Sequence, residues 1–151
     1  MDFHLDRLLN LPDLRIEKCL DTESEVHLTV KSWKESVNCP CCGLETDRIN
    51  QERPLKVRDV SIFGKFTYLY FKRRQFYCEN CQKYWTEPLE YIDFKRQTTQ
   101  RYQEYIYKRV KVSTVSEVAR EEELTYDRVQ SIFENQFLKK KDMKALYGES
   151  A

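Results

Sequence analysis

The chain has 151 residues, of which 34% are charged and 40% hydrophobic, and its net charge is +1. This length accommodates one domain or two small ones, and the composition is that of a folded protein with a polar surface. No apolar run is long enough to span a membrane, so we expect a soluble protein with no membrane partner.

The charge is unevenly distributed along the chain. Residues 1–52 carry 6 Lys and Arg against 11 Asp and Glu, residues 53–111 carry 14 against 6, and residues 112–151 carry 6 against 8. The middle segment is therefore basic, between two acidic ends. A polyanion would bind to such a block, although a solvated charged face would give the same counts.

The first ninety residues are predicted to be mainly β-structure. Apolar residues alternate with polar ones over 14–30, on either side of an acidic stretch at 21–25, which predicts a β-hairpin. A second strand pair is predicted over 55–63 and 65–77, with Gly64 at the turn. Cys19 lies in the first hairpin and is expected to be a small buried apolar residue.

Four cysteines form two C-x-x-C pairs, Cys39 with Cys42 and Cys78 with Cys81, and 35 residues separate the pairs. Two residues between thiolates allow a tight turn to direct both sulfurs at one point, and two such turns complete a tetrahedron. The pattern predicts one structural Zn²⁺ per chain, because protein sulfur fills all four positions. Cys41 lies inside the first turn and is expected to point away from the metal.

Beyond residue 88 the apolar pattern becomes helical. One helix is predicted from Thr98, a second from Thr114 and a third from Thr125. Thr114 and Glu117 have the spacing of a capping box. Two short helices joined by a short turn predict a helix-turn-helix, with Glu123 at the position that usually holds glycine. An αα-hairpin that does not contact DNA would give the same pattern.

These elements predict an α+β chain, in which a small β-rich zinc-binding module with two C-x-x-C knuckles is followed by a three-helix helix-turn-helix module. We place the β-rich zinc-finger module at residues 1–95 and the helix-turn-helix DNA-binding module at residues 96–138. Residues 139–151 are expected to form a basic polar tail.

The order of these motifs resembles the N-terminal region of bacterial insertion-sequence transposases of the ISL-three family. The resemblance extends over nearly the whole chain. Its pieces are LLNLP at 8–12, CPCCG at 39–43, VRDV at 57–60, KRRQFYC at 72–78, Cys81 with WTE at 85–87, VSEVAR at 115–120 and YDRV at 126–129. Each piece alone is a weak signal, and their order is the specific one.

In that family a zinc finger and a helix-turn-helix precede a ribonuclease-H-like catalytic domain, and the N-terminal modules would recognise the terminal inverted repeats of the element. The resemblance implies sequence-specific binding to double-stranded DNA, with a homodimer or a full-length transposase as a further partner. The chain ends at Ala151, where that catalytic domain would begin. We therefore expect the non-enzymatic, DNA-binding part of a transposase-like protein, located in the bacterial cytoplasm at the nucleoid.

The third helix is expected to enter the major groove of the DNA. Its outward positions are Tyr126, Arg128, Gln130, Ser131 and Asn135. Arg can bond guanine and Gln or Asn can bond adenine, and the N-terminal positions of the helix are the best placed. The phosphate backbone is expected to be held by Lys72, Arg73, Arg74, Arg96, Arg101, Lys108 and Lys111.

Two other classes of protein fit part of the pattern. The knuckles and helices could form an adaptor that binds another protein, although the basic middle segment favours nucleic acid. Iron suits the same four sulfurs, which would make the chain a rubredoxin-like electron-transfer protein. The predicted helix-turn-helix has no role in an electron-transfer protein of that kind.

Overall fold

The computed structural model describes residues 3–147, and the side chains of residues 4–146. A β-rich part precedes a helical part, which confirms the mixed α+β class. In chain order the elements are α1 (Phe3–Leu9), β1 (Leu14–Asp21), β2 (Glu25–Ser32), β3 (Val37–Asn38), β4 (Glu45–Thr46), β5 (Ile49–Ile62), β6 (Lys65–Cys78), β7 (Lys83–Thr86), β8 (Ile92–Asp93), β9 (Thr98–Thr99), α2 (Gln100–Lys111), α3 (Val115–Glu122) and α4 (Tyr126–Tyr147).

The main sheet has the order β1-β2-β6-β5-β9-β8, with β7 paired to the far end of β6. Both predicted hairpins are present, β1 with β2 and β5 with β6. The two hairpins are joined because β2 runs parallel to β6. Strands β3 and β4 form a separate two-stranded sheet within the connection from β2 to β5.

The β5–β6 hairpin is the longest feature of the sheet. Each strand has 14 residues, so the hairpin extends over roughly 45 Å at about 3.3 Å per residue. Phe63 and Gly64 form its turn with φ values of 50° and 77°. Positive φ at both positions matches the twist of the strands, and Gly64 adopts it without steric cost.

Two hydrophobic clusters hold the fold together. The first lies on one face of the sheet, where Leu69 and Val57 are fully buried and Leu9 of α1 covers the strands. The second lies between α2, α3 and α4, and Ile106 and Ile132 are fully buried in it. The additional helix α1 forms because its apolar residues pack onto the sheet core, which gives four helices within residues 3–147 rather than the predicted three.

The expectation that Cys19 is buried is wrong, since this side chain is exposed. Strand β1 lies at the edge of the sheet, and its burial alternates only as far as Ile16. A shift in register between Ile16 and Lys18 then turns the rest of the strand away from the core.

A threonine side chain caps the start of each of the three C-terminal helices. Thr114 and Thr125 lie at the expected starts, whereas α2 starts later than expected, because Thr98 and Thr99 form β9 and Thr99 is the cap. Thr99 Oγ1 accepts a hydrogen bond from the Tyr102 amide at 3.2 Å, and Thr114 Oγ1 accepts one from the Glu117 amide at 3.1 Å. The Glu117 carboxylate pairs with Arg120, so one half of the capping box is formed. Helix α4 runs through residues 139–147 of the predicted tail, and residues 148–151 lie outside the described part.

Candidate metal centre and nucleic-acid interface

The first C-x-x-C pair lies at the tip of the β3–β4 hairpin. The Cys39 amide donates to the Leu44 carbonyl at 2.9 Å, and the Gly43 amide donates to the Cys39 carbonyl at 2.9 Å. Gly43 has a φ of 77°, in the left-handed region that glycine adopts without strain. This turn returns the chain to the second strand and places both sulfurs on one side.

The second pair is built in the same way at the end of β6. The Gln82 amide donates to the Cys78 carbonyl at 2.8 Å. Gly43 makes the same bond to Cys39 in the first pair, and in both pairs the donor lies four residues after the acceptor. Gln82 has a φ of 55°, although it is not glycine. A left-handed residue with a side chain costs about 1 kcal/mol or more, so this turn is formed against a local preference.

The two turns bring the four predicted sulfurs together. The sulfurs of Cys39, Cys42, Cys78 and Cys81 all lie within 4.8 Å of one another. The Cys39 and Cys81 sulfurs are 3.9 Å apart, and those of Cys42 and Cys78 are 3.6 Å apart. A zinc ion with sulfurs at about 2.3 Å separates them by about 3.8 Å, whereas a disulfide requires about 2 Å. The cluster therefore fits a tetrahedral metal ion and not a pair of disulfides.

Hydrogen bonds divide the four thiols into two that ionise easily and two that do not. The Asn80 side chain lowers the pKa of Cys42 to about 6, and the Cys42 amide lowers the pKa of Cys39. Hydrogen bonding to Cys42 raises the pKa of Cys81. The Cys81 amide lowers the pKa of Cys78, but burial and the neighbouring thiols outweigh it and raise that pKa. Four thiols this close share protons, and a divalent metal would displace those that remain.

Aromatic packing supports the metal end of the sheet. Tyr77 and Tyr84 pack with ring centres 4.8 Å apart, and Phe76 stacks on Trp85 at 5.9 Å. Thr46 Oγ1 donates to the Tyr77 carbonyl at 3.0 Å and so connects the first knuckle to β6. The two knuckles are thus positioned by packing outside the cysteine cluster.

Helices α3 and α4 form the predicted helix pair. Glu123 ends α3 in the left-handed conformation, with φ 54° and ψ 44°. The Leu124 amide donates to the Ala119 carbonyl at 2.9 Å, which closes the turn. Val118 and Val129 are fully buried between the two helices. The turn therefore has the predicted geometry, with glutamate in the position that usually holds glycine.

The outward face of α4 contains two of the five predicted base-contacting residues. Tyr126 is 54% exposed, and Gln130 lies one turn further along and donates to Glu134 at 2.7 Å. The outward side also includes Asp127 and the half-exposed Phe137. Because Asp127 and Glu134 carry negative charges on this face, it is not a simple phosphate-binding surface.

The other three predicted base contacts face the neighbouring elements. Arg128 donates to the Arg96 carbonyl at 3.1 Å, and Ser131 Oγ accepts from Arg96 Nε at 3.2 Å. Asn135 donates to Gln103 of α2 at 2.8 Å. These side chains lie on the flank of α4 that contacts α2 and the segment before it.

The predicted phosphate-binding residues divide into exposed lysines and engaged arginines. Lys72, Lys108 and Lys111 are exposed. Lys72 Nζ is 3.8 Å from the Glu52 carboxylate, and Lys111 Nζ lies 5.4 Å from the centre of the Tyr107 ring. The long side chains of these lysines leave their charges available to solvent.

The four arginines make contacts within the protein. Arg74 forms two hydrogen bonds of 2.8 Å with Glu87, and both side chains are about nine-tenths buried. The other three arginine contacts are Arg101 with Asp59 at 2.5 Å, Arg96 with Asp93 at 3.1 Å, and the Arg73 guanidinium 3.7 Å from the centre of the Phe94 ring. A count of charges cannot distinguish such internal partners from a free basic surface.

The sequence assigned no role to the residues that join the sheet to the helices. Arg58 of β5 is 5% exposed and donates to the Glu122 carbonyl at the end of α3, at 3.1 Å. Asp59 is 2% exposed and accepts hydrogen bonds from Thr99 and Arg101. The charged pair Arg58 and Asp59 lies between the apolar Val57 and Val60, and this placement is the signal that could have indicated a buried junction.

The fold and the two sites define a zinc-ribbon and helix-turn-helix pair, which is an arrangement of non-catalytic DNA-binding modules. Residues 35–81 match the zinc finger of transposase IS204/IS1001/IS1096/IS1165, and residues 87–136 match the helix-turn-helix domain of transposase family ISL3. The chain therefore carries the zinc-ribbon and helix-turn-helix domains of ISL3-family transposases, which confirms the resemblance found in the sequence. No curated protein and no solved structure shows a significant match to the chain.

Within the described residues, no helix combines the length and the apolar composition that are needed to cross a membrane.

Proposed function

We propose that the chain binds double-stranded DNA in a sequence-specific manner and recognises the terminal repeats of a mobile element. The observation that carries the proposal is the match of both modules to transposase DNA-binding domains, in their expected order. The exposed N-terminal turn of α4, with Tyr126 at 54% exposure, is the part that would meet base edges. The chain would act in the bacterial cytoplasm at the nucleoid, as a homodimer or together with a full-length transposase.

The second part of the proposal is that Cys39, Cys42, Cys78 and Cys81 hold one Zn²⁺ per chain. The four sulfurs would fill all four coordination positions of the ion and leave none open for water or substrate. The ion would therefore act as a structural link between the two knuckles. We expect Cys78→Ser to lose the metal and Cys41→Ser to retain it, since the Cys41 side chain is exposed and outside the cluster. Metal analysis of the purified variants tests this, and a red ferric form would indicate iron instead.

The predicted DNA contacts are proposed in two groups. Tyr126 would read bases directly, and Gln130 would do so by exchanging its bond to Glu134 for one with a base. Lys72, Lys108 and Lys111 would hold phosphates, because these three lysines are exposed. Arg128, Ser131, Asn135, Arg73, Arg74, Arg96 and Arg101 would first have to exchange a contact within the protein for one with DNA. Their role in DNA binding therefore requires a side-chain rearrangement on binding.

We also propose that the two modules, residues 1–95 and 96–138, bind DNA as one unit. The support is the buried junction between Arg58 of the sheet and Glu122 of α3. Residues 139–147 of the proposed basic tail belong to α4 and would extend this unit. A protein-binding adaptor would also be compatible with this junction. A measurement of DNA binding distinguishes the adaptor from the DNA-binding protein proposed here.

The chain is proposed to bind DNA without cutting or joining it. Strand transfer by two metal ions needs carboxylates that converge on a site where the ions lie about 4 Å apart. Within residues 3–147 the cysteine cluster is the one group of three or more side chains that could hold a metal ion. Nicking of element ends in magnesium or manganese by rigorously purified protein would refute this part.

The experiment that tests the main proposal compares a duplex bearing the element's terminal repeats with a random duplex over a range of salt. Each phosphate that the protein neutralises contributes a slope of roughly −0.9 in log affinity against log salt. We expect a steep slope on both duplexes and tighter binding to the repeats. A flat response would exclude DNA as the partner and favour the adaptor, and equal affinity for both duplexes would exclude sequence recognition.

A further inference from the structure

A pocket of about 240 Å³ lies where the open face of the sheet meets the turn between α3 and α4. Three cationic side chains line it: Lys56 and Arg58 from β5, and Arg128 from the first turn of α4. Of these, the sequence pointed only to Arg128. The charged residues of the pocket thus come from both modules, and about seventy positions of the chain separate Arg58 from Arg128.

Lys56 supplies a charge that the protein does not neutralise. Its side chain is exposed, and its ammonium lies over the Tyr68 ring, 4.4 Å from the ring centre. Among the described residues, no carboxylate lies within ion-pair distance of this ammonium. The contact with the ring orients the ammonium while leaving its three donors available.

Arg58 supplies a donor that the protein leaves without an acceptor. Its guanidinium is 5% exposed, lies 4.3 Å from the centre of the Phe66 ring and bonds the Glu122 carbonyl through one terminal nitrogen. Its Nε has no hydrogen-bond partner within the described residues. A buried donor without a partner is unfavourable, so this guanidinium keeps hydrogen-bonding capacity that the protein does not use.

Arg128 completes the cationic lining from the opposite side. One of its terminal nitrogens donates to the Arg96 carbonyl, a neutral partner that leaves its positive charge in place. Glu123 also lines the pocket and opposes anion binding, and Glu122 lies 3.6 Å from Arg58. The two glutamates reduce the positive potential of the pocket, but the cations outnumber them.

We propose that this pocket binds a phosphate group, and that the phosphate belongs to the backbone of the bound DNA. Two guanidinium groups and an ammonium suit the several acceptor oxygens of a phosphate, and guanidinium can bond two of them at once. Because Arg128 belongs to the first turn of α4, a phosphate held here would fix the position of that helix in the groove. The assignment of the phosphate to DNA rests on the proposed function, whereas binding of the phosphate group itself does not.

The first experiment uses inorganic phosphate as the probe, with the zinc-loaded chain. Thermal unfolding is compared in phosphate and in chloride at equal ionic strength, for the natural chain, Lys56→Gln and Lys18→Gln. Lys18 is an exposed lysine on β1, outside the pocket, and serves as the matched control. Bound phosphate raises the unfolding temperature by mass action, while its general salting effect acts on all variants alike.

We expect phosphate to raise the unfolding temperature of the natural chain and of Lys18→Gln, and to raise that of Lys56→Gln distinctly less. Glu123→Gln removes a carboxylate from the lining and should increase the phosphate response. Equal responses of Lys56→Gln and Lys18→Gln would overturn the phosphate site, whatever the chain does with DNA.

The second experiment measures affinity for a random duplex against salt in the same variants. Loss of one phosphate contact should reduce the slope by about 0.9 in Lys56→Gln and leave it unchanged in Lys18→Gln. An unchanged slope in Lys56→Gln, with duplex binding intact, would overturn the assignment to DNA and leave the proposed function standing. Absence of duplex binding in the natural chain would contradict the proposed function, and the phosphate response would then indicate a free phosphate ligand.

Discussion

Glu123 shows how one residue departs from the common form of a structural motif. It ends α3 with φ 54°, a conformation in which the Cβ of a non-glycine residue lies too close to the following carbonyl. The turn persists because the buried Val118 and Val129 hold the two helices together on either side of it. The same glutamate lines the pocket next to Arg128, so its side chain also weakens the positive field there.

The first prediction is that Glu123→Gly stabilises the chain. Glycine adopts the left-handed region without the steric cost, so we expect the free energy of unfolding to rise by about 1 kcal/mol. Urea unfolding monitored by circular dichroism measures this change. The matched control is Ser116→Gly on the exposed side of α3, where glycine should lower the stability by several tenths of a kcal/mol. A loss of stability in Glu123→Gly would mean that the carboxylate has a structural role.

The Asp59 carboxylate accepts four hydrogen bonds at the junction of sheet and helices. Its carboxylate accepts from Thr99, which caps α2, and from Arg101 in the first turn of that helix. It also accepts from the Val60 amide at 2.8 Å. This carboxylate therefore fixes where α2 begins relative to β5.

The second prediction is that Asp59→Ala strongly destabilises the chain. Removing the carboxylate leaves Arg101 and the Thr99 hydroxyl without their partner, and we expect a loss of about 2–3 kcal/mol. The loss is smaller than for a wholly buried pair because the Arg101 side chain is 38% exposed. Asp47→Ala, at an exposed position between β4 and β5, should change the stability by no more than about 0.5 kcal/mol. Equal effects of the two substitutions would show that Asp59 does not organise the junction.

Strand β6 is the element that connects the two sites. Its first residues contact the helix junction, since the ring of Phe66 covers Arg58, and its last residue, Cys78, belongs to the metal cluster. Between them lies the basic run 72–74, which the sequence predicts to hold DNA phosphates. The structure separates this run into an exposed lysine and two arginines that contact neighbouring side chains.

The third prediction separates the roles within this run. Arg74→Ala leaves the nearly buried Glu87 carboxylate without its two hydrogen bonds, so we expect a loss of about 3 kcal/mol in stability. Lys72→Ala should leave the stability within about 0.5 kcal/mol of the natural chain and weaken duplex binding. Chemical unfolding and a duplex titration on both variants measure these effects. If Arg74→Ala leaves the stability unchanged, the pair with Glu87 does not stabilise the chain, and Arg74 could release Glu87 to contact DNA.

The elements that the sequence predicts are those with local signals. The β5–β6 hairpin has Gly64 at its turn, and the α2 and α3 helices have Thr99 and Thr114 as caps. The pairing of β2 with β6 joins residues about forty apart in the chain, and no local pattern encodes it. In the same way the cysteine spacing predicts the metal cluster. The ion pairs of Arg74 and Arg101 involve carboxylates 13 and 42 residues away, so no local pattern predicts them.

On the scale of the whole molecule, the two hydrophobic clusters and the metal cluster are separate. The cysteines belong to neither hydrophobic cluster. Helices α2, α3 and α4 are packed against one another through their own apolar residues, and the knuckles are joined through sulfur and through aromatic pairs on β6 and β7. The two ends of the molecule therefore have different sources of stability.

The fourth prediction is that chelation of the metal unfolds one end of the chain and leaves the other folded. Structural zinc contributes on the order of 10 kcal/mol to the folding of small zinc modules, so its removal should open residues 36–50 and 76–86. Hydrogen exchange with and without a chelator measures this. We expect protection to be lost in those segments and kept in α2, α3 and α4. Loss of protection throughout the chain would show that the helices depend on the metal.

The long β5–β6 hairpin also restricts how the chain can change in length. Successive residues of a strand point to opposite faces, so one residue inserted into β6 between Phe66 and Cys78 would turn every later side chain over, including the metal ligand. Insertions that preserve both ends must therefore add two residues to β6 and two to β5. Each such step lengthens the hairpin by about 7 Å. In relatives of this chain, we therefore expect the lengths of β5 and β6 to differ by even numbers of residues. The distance between the metal cluster and α4 would then change in steps of about 7 Å.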